Sequence, residues 1–151
     1  MAKAGQEIYN PDQRDRIVFR EMAADTNGET LRFELVASPH SGNRLHVHPR
    51  QEERFQVLSG TFGVRVGDEQ RSLGRGERLV VPAGTPHGWW NDTEEDVRVM
   101  AELRPALNTE TFLETHYGLA RDRKTDGSGN LNALQFTVMV RGVNKDEIYV
   151  T

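Results

Sequence analysis

Between residues 31 and 103 the chain breaks into short apolar stretches separated by Gly, Pro, Asn and Asp, the rhythm of strands joined by tight turns. Strands are predicted over residues 31–36, 44–48, 53–58, 61–66, 78–81, 87–90 and 97–103, with turns at 41–43, 59–60, 67–68, 74–76, 82–86 and 91–95. Phe62, Val64 and Val66 alternate with Thr61, Gly63 and Arg65, so one face of that strand is buried and the other is wet. Short strands in this number predict an all-β core, closed as a barrel or stacked as a sandwich.

On either side of that core the pattern changes. Asn108 or Thr109 is placed to cap a helix whose Phe112, Leu113 and Tyr117 share a side, with Gly118 as its stop. Residues 121–130 are polar, charged and contain Gly, which predicts an exposed loop. Residues 131–140 are apolar enough for either a second helix or a strand, and periodicity does not decide between them. Residues 1–30 read as an arm with one strand near 16–20, free to pair with another subunit. The expected organisation is one domain over 1–151: the arm, a barrel over 31–104, and an extension over 105–151 with one or two helices.

Composition narrows the function classes. A chain of 151 residues is long enough to bury a sizeable core as one domain. With 36% hydrophobic and 28% charged residues it falls among ordinary globular proteins, and its formal charge of -4 is the wrong sign for a nucleic-acid partner, which selects clustered Lys and Arg. The absence of Cys excludes disulfides and thiolate ligands, so any metal must be held by nitrogen and oxygen. The first ten residues lack the apolar core of a signal peptide and no run approaches a membrane span, so the cytoplasm is the expected location, with no membrane partner.

Candidate chemistry concentrates in two stretches. In the first, His46 and His48 stand at i and i+2, so on a strand both imidazoles leave the same face, roughly 6.5–7 Å apart along the chain. A His-x-His pair also occurs on exposed strands and is weak evidence by itself. After the turn Pro49, Arg50, Gln51, however, Glu53 shares a strand face with Phe55 and Val57, while Glu52 and Arg54 share the other. A carboxylate carried inside with Phe55 and Val57 is costly without a charge partner, and a divalent cation supplies one. In the second stretch, residues 76–91, a strand enters a Pro/Gly turn and delivers His87 to the start of the next strand, where His87 and Trp89 face alike.

These two stretches resemble the motifs of the cupin superfamily, G-x5-H-x-H-x3,4-E-x6-G and G-x5-P-x-G-x2-H-x3-N. His46, His48, Glu53 and Gly60 fit the first, with four residues between His48 and Glu53 and six between Glu53 and Gly60. One departure stands at its front, where His40 occupies the glycine position and Gly42 lies two residues later. Gly76, Pro82, Gly84, His87 and Asn91 fit every defined position of the second. The resemblance implies a double-stranded β-helix, a conical barrel of two facing antiparallel sheets. It also implies one divalent transition metal, Fe, Mn, Ni or Zn, held by His46, His48, Glu53 and His87, and a homodimer. More loosely, the whole chain looks like small bacterial cupins in which a short helical extension follows the barrel.

Imidazole ligands independently favour a first-row metal over Ca²⁺ or Mg²⁺, which prefer oxygen shells. Four protein ligands on a metal that accepts five or six leave room for water, O₂ or a small organic ligand beside Phe55, Phe62 and Trp89, the candidate substrate-binding residues. An oxygenase is slightly favoured. A non-redox isomerase, lyase or decarboxylase that uses the metal as a Lewis acid is the first alternative, and a non-catalytic module that binds or senses a sugar or small acid is the second. His40 and His116 lie outside the motifs and are not expected to be ligands. Arg44, Arg65 and Arg98 are candidates to reach a substrate carboxylate, although isolated Arg residues on strands are more often solvated surface.

Overall fold

A computed structural model of the protein describes residues 3–122 and 149–150. Two antiparallel sheets dominate it. The first runs in the order β1 (Glu7–Asn10), β2 (Asp15–Glu21), β3 (Leu31–Ala37), β11 (Val97–Arg104), β6 (Glu52–Ser59), β9 (Arg78–Val81). The second runs β12 (Tyr149–Val150), β5 (His46–Val47), β10 (His87–Asn91), β7 (Phe62–Val66), β8 (Glu69–Leu73), with β4 (Ser41–Gly42) also paired to β10. Neighbours in space are mostly distant in sequence, as β3 on β11 and β5 on β10, so the chain alternates between the sheets. This is the all-β double-stranded β-helix that the motifs imply, followed among the described residues by one α-helix, α1 (Thr109–Arg121).

Most of the predicted strand faces hold; in β7, however, Val66 is only partly buried and Gly63, expected on the wet face, is buried against Trp90. Phe55 and Val57 of β6, Phe62 and Val64 of β7, Leu79 and Val81 of β9, and Val97, Val99 and Ala101 of β11 turn into one core. Phe62 has no accessible surface, and burying such a side chain contributes roughly 1.5–3 kcal/mol relative to leaving it in water. Outward positions of the first sheet carry charge. There Glu34, buried to 4% exposure, accepts hydrogen bonds from Arg20 (2.8 Å) and Arg98 (2.7 Å). Burial raises the Glu34 carboxyl, but these two guanidinium groups outweigh it and leave it below the ordinary range.

Several elements differ from their sequence prediction. The arm contains two strands rather than one, and β2 pairs with β3 of its own chain, so the arm widens the first sheet. Strand β8 was not predicted, because Glu69, Gln70, Arg71 and Ser72 are all exposed at a sheet edge and only Leu73 turns inward. Residues Ser41 and Gly42, expected in a turn, form the short β4, and the strand expected over 44–48 contracts to β5 because Pro49 follows at once. Gly118 does not stop α1. It has no left-handed backbone, and the packing face continues past it through Ala120, so the helix runs to Arg121. The helix lies against β1, with Phe112, Tyr117 and Ala120 buried. Of the loop expected over 121–130, Arg121 belongs to α1 and Asp122 to the turn after it, while the remainder, and the helix or strand expected over 131–140, lie outside the described residues.

Candidate metal centre

The two motifs meet through β5 and β10. His46 is paired directly with His87 across that ladder, and His48 follows just past the end of β5. The Gly84 N–H donates to the His48 carbonyl at 2.9 Å, which ties the turn before His87 to the turn after His48. Glu53, the second residue of β6, enters from the other sheet, where it pairs with Val81 of β9 and Leu103 of β11. The four side chains converge: one donor atom from each lies within 4.8 Å of all the others. The imidazole centroids are 4.3 Å apart for His46 and His87, 5.0 Å for His46 and His48, and 5.2 Å for His48 and His87.

Hydrogen bonding orients the donors. The His46 Nδ1–H donates to the Arg44 carbonyl at 2.7 Å and the His87 Nδ1–H to the Thr85 carbonyl at 2.9 Å, which turns both Nε2 atoms toward the interior of the cluster. Glu53 Oε2 sits 3.0 Å from His87 Nε2 and 3.2 Å from His48 Nε2. His48 Nδ1 is buried and has no hydrogen-bond partner among the described residues. Burial raises the Glu53 carboxyl, but the hydrogen bonds and charges of His48 and His87 prevail and hold it well below the ordinary carboxylate range. For His87 burial is likewise outweighed by Glu53, so its pKa is raised. The His46 residue keeps some exposure, but its ring lies inside the cluster, where burial and then the two neighbouring imidazoles push it down to about 3. The donor set is therefore one anionic carboxylate and three imidazoles with inward nitrogens, which fits a divalent first-row ion.

All four ligand candidates read from the sequence are thus brought together. Phe55 and Trp89 lie two residues beyond Glu53 and His87 on the same strand faces, and with Phe62 they form an aromatic run, with centroids 5.3 Å apart for Phe55 and Phe62 and 5.9 Å for Phe62 and Trp89. Phe55, Phe62 and Trp89 are 3%, 0% and 6% exposed and belong to the continuous core. His40 is outside the cluster, 2.7 Å from Glu94, and His116 packs on α1 against Phe112 and Tyr117. Arg98 is committed to Glu34 and Arg65 to the Gly67 carbonyl.

Two motif residues do structural work. Asn91 donates to the carbonyls of Ala37, Ser38 and Glu95 and accepts from Thr93, so it clamps the 91–95 turn to the end of β3. His40, at the position where the motif has glycine, adopts φ +60, the left-handed backbone that glycine enters freely and that costs a residue with Cβ about 1 kcal/mol or more. The departure in sequence therefore preserves the backbone conformation.

A family model described as the cupin domain matches residues 33–101. The probable oxidoreductase virH of Hypocrea virens is 30% identical over 134 residues, covering 80% of this chain and 60% of that protein, so the chain spans about three-fifths of the length of this curated relative. Among solved structures, a predicted oxalate decarboxylase from Thermotoga maritima superposes with a TM-score of 0.61 at 16% identity, over 70% of this chain and 99% of that one. KdgF from Halomonas sp. superposes with a TM-score of 0.55 at 22% identity, over 60% and 78%. At such identities these two likenesses speak for the fold. With both motifs seated in the matched barrel, the chain belongs to the cupin superfamily.

Proposed function

We propose that this cupin binds one divalent first-row metal, Fe, Mn, Ni or Zn, through His46, His48, Glu53 and His87 and uses it to oxidise a small organic molecule, as an oxygenase. The observation that carries the proposal is the convergence of four donors within 4.8 Å, with the Nδ1 atoms of His46 and His87 already engaged by backbone carbonyls. When bound, the metal would supply Lewis acidity and, for Fe or Mn, one-electron redox chemistry at positions that four protein ligands leave open. The chain's own residues do the rest. Arg44 and Thr85 carbonyls orient two imidazoles with Nε2 toward the cluster, and Glu53 stays ionised, so the site offers a fixed negative charge to a cation. Phe55 and Trp89, on the faces that carry Glu53 and His87, are with Phe62, whose ring contacts both, the proposed apolar contacts of the substrate. The relationship to a probable oxidoreductase supports the redox reading over a non-redox one.

The test is oxygen consumption by Fe(II)-loaded protein across a panel of small organic substrates. Substrate-dependent uptake that disappears in Glu53→Ala is expected. A metal-dependent product formed without O₂ would replace this reading with an isomerase, lyase or decarboxylase, and saturable binding without product would make the barrel a receptor. Among the described residues no helix is long and apolar enough to cross a membrane. The cytoplasm and the absence of a nucleic-acid partner belong to the same proposal, checked by cell fractionation and by a gel-shift assay.

A further inference from the structure

The connection between two of the ligand candidates, residues 49–52, contains a side chain that the sequence marks only as part of a turn. Gln51 is 1% exposed, three residues after His48 and two before Glu53. Its Nε2 donates toward the Pro105 carbonyl at 2.9 Å, the Ala106 carbonyl at 3.0 Å and the Thr109 hydroxyl at 2.8 Å. Two of these acceptors belong to the crossing from β11 to α1 and the third, Thr109, is the first residue of α1. The placement follows from the ladder: β6 and β11 pair through Leu103 with Glu53 and Arg104 with Glu52, and there the backbone rungs stop, because Pro105 has no N–H to give. Gln51 takes the next rung with its side chain. The price is a buried Oε1 with no hydrogen-bond partner among the described residues, an arrangement that costs about 1–3 kcal/mol.

We infer that Gln51 is a positioning residue of the metal centre: by clipping the turn between His48 and Glu53 to the start of α1, it sets the separation of those two ligands. This rests on the metal-binding reading above. His48 is tied through its own carbonyl to Gly84, and Glu53 through its ladder to Val81 and Leu103, so both ends of the connection are anchored and Gln51 anchors its middle. A metal tolerates errors of only about 0.2 Å in its ligand distances, and loss of residues that orient ligands typically weakens affinity 10–100-fold. The C-terminal extension thereby gains a role at the site: Thr109, the first residue of α1, contributes one of the three acceptors.

The test is Co(II) titration of the full chain, followed by its visible d–d absorption, for wild type, Gln51→Met and Thr109→Val. Gln51→Met keeps the shape and removes the donor. About 10–100-fold weaker Co(II) binding and an altered absorption band are expected. Thr109→Val removes a single acceptor and keeps the fold-bearing volume, so it is expected to shift the same two readouts in the same direction by less, and it answers the question if Gln51→Met does not fold. Variants that fold and bind Co(II) with the affinity and spectrum of wild type would overturn the positioning role while leaving the metal site standing. Wild-type protein that takes up no Co(II) would overturn both.

Discussion

Glu53 decides how the site reads at the scale of single residues. It is an ionised carboxylate on a strand face otherwise carrying Phe55 and Val57, and alternation alone assigns it to the interior. A buried anion is costly without a cation, and here three imidazoles surround it, two within 3.2 Å. Residue types and spacing were enough to find this group because strand periodicity is short-range information. Asp15 is the contrasting case. It is fully buried, it accepts a 2.5 Å hydrogen bond from the Tyr117 hydroxyl 102 residues away, and nothing local in the sequence marks it. Burial raises the Asp15 carboxyl from 3.8 to about 7, against the hydrogen bonds from Tyr117 and Gln13. A carboxyl whose pKa is raised by folding contributes stability that is complete at acid pH and is lost as pH rises from about 4 through 7. Asp15→Asn removes that loss. Urea unfolding is expected to find the variant more stable than wild type at pH 8, by up to about 4 kcal/mol, with the advantage shrinking at pH 5. An advantage equal at both pH values would mean that Asp15 is not the titrating group.

Elements were legible to the extent that their own residues carry the pattern. Strands β6, β9 and β11 alternate in burial, and β3, β7 and β10 are short apolar runs between turn signals; all six lie within a residue or so of the predicted ends. Strand β8 exists because β7 supplies a partner across the Gly67 turn, a reason outside its own mostly polar sequence. Helix α1 passes through Gly118 because its contact with β1 outweighs one residue's propensity, a cost of roughly 1 kcal/mol. Turns show the opposite dependence. Gly60, between β6 and β7, takes φ +83, and a Cβ there would stand 3.0 Å from the Asp96 carbonyl oxygen and from Val97. Gly60→Ala is expected to lower stability by about 1–3 kcal/mol in thermal unfolding, from backbone strain and the forced contact together. An unchanged melting temperature would show that the β6–β7 turn adapts and that the motif glycine serves another purpose.

For the whole molecule, the motifs carried the double-stranded β-helix, and the structure adds what lies around it. The arm widens the first sheet of its own barrel, and Tyr117 holds α1 against that added strand pair. An arm satisfied by its own chain no longer argues for exchange between subunits, so the proposed homodimer rests on the family resemblance and on sheet edges such as β8. Light scattering is expected to give twice the 17.1 kDa chain mass, and a monodisperse monomer would remove the dimer. The central property proposed for the chain is metal binding at the four-residue cluster. Elemental mass spectrometry of protein purified without a histidine tag, wild type beside His87→Ala, tests it directly. One first-row metal ion per chain in the wild type, lost in the variant, is expected. A wild type that is metal-free as purified and takes up none of Fe, Mn, Ni or Zn would contradict the site and leave a cupin barrel that binds its ligand without metal.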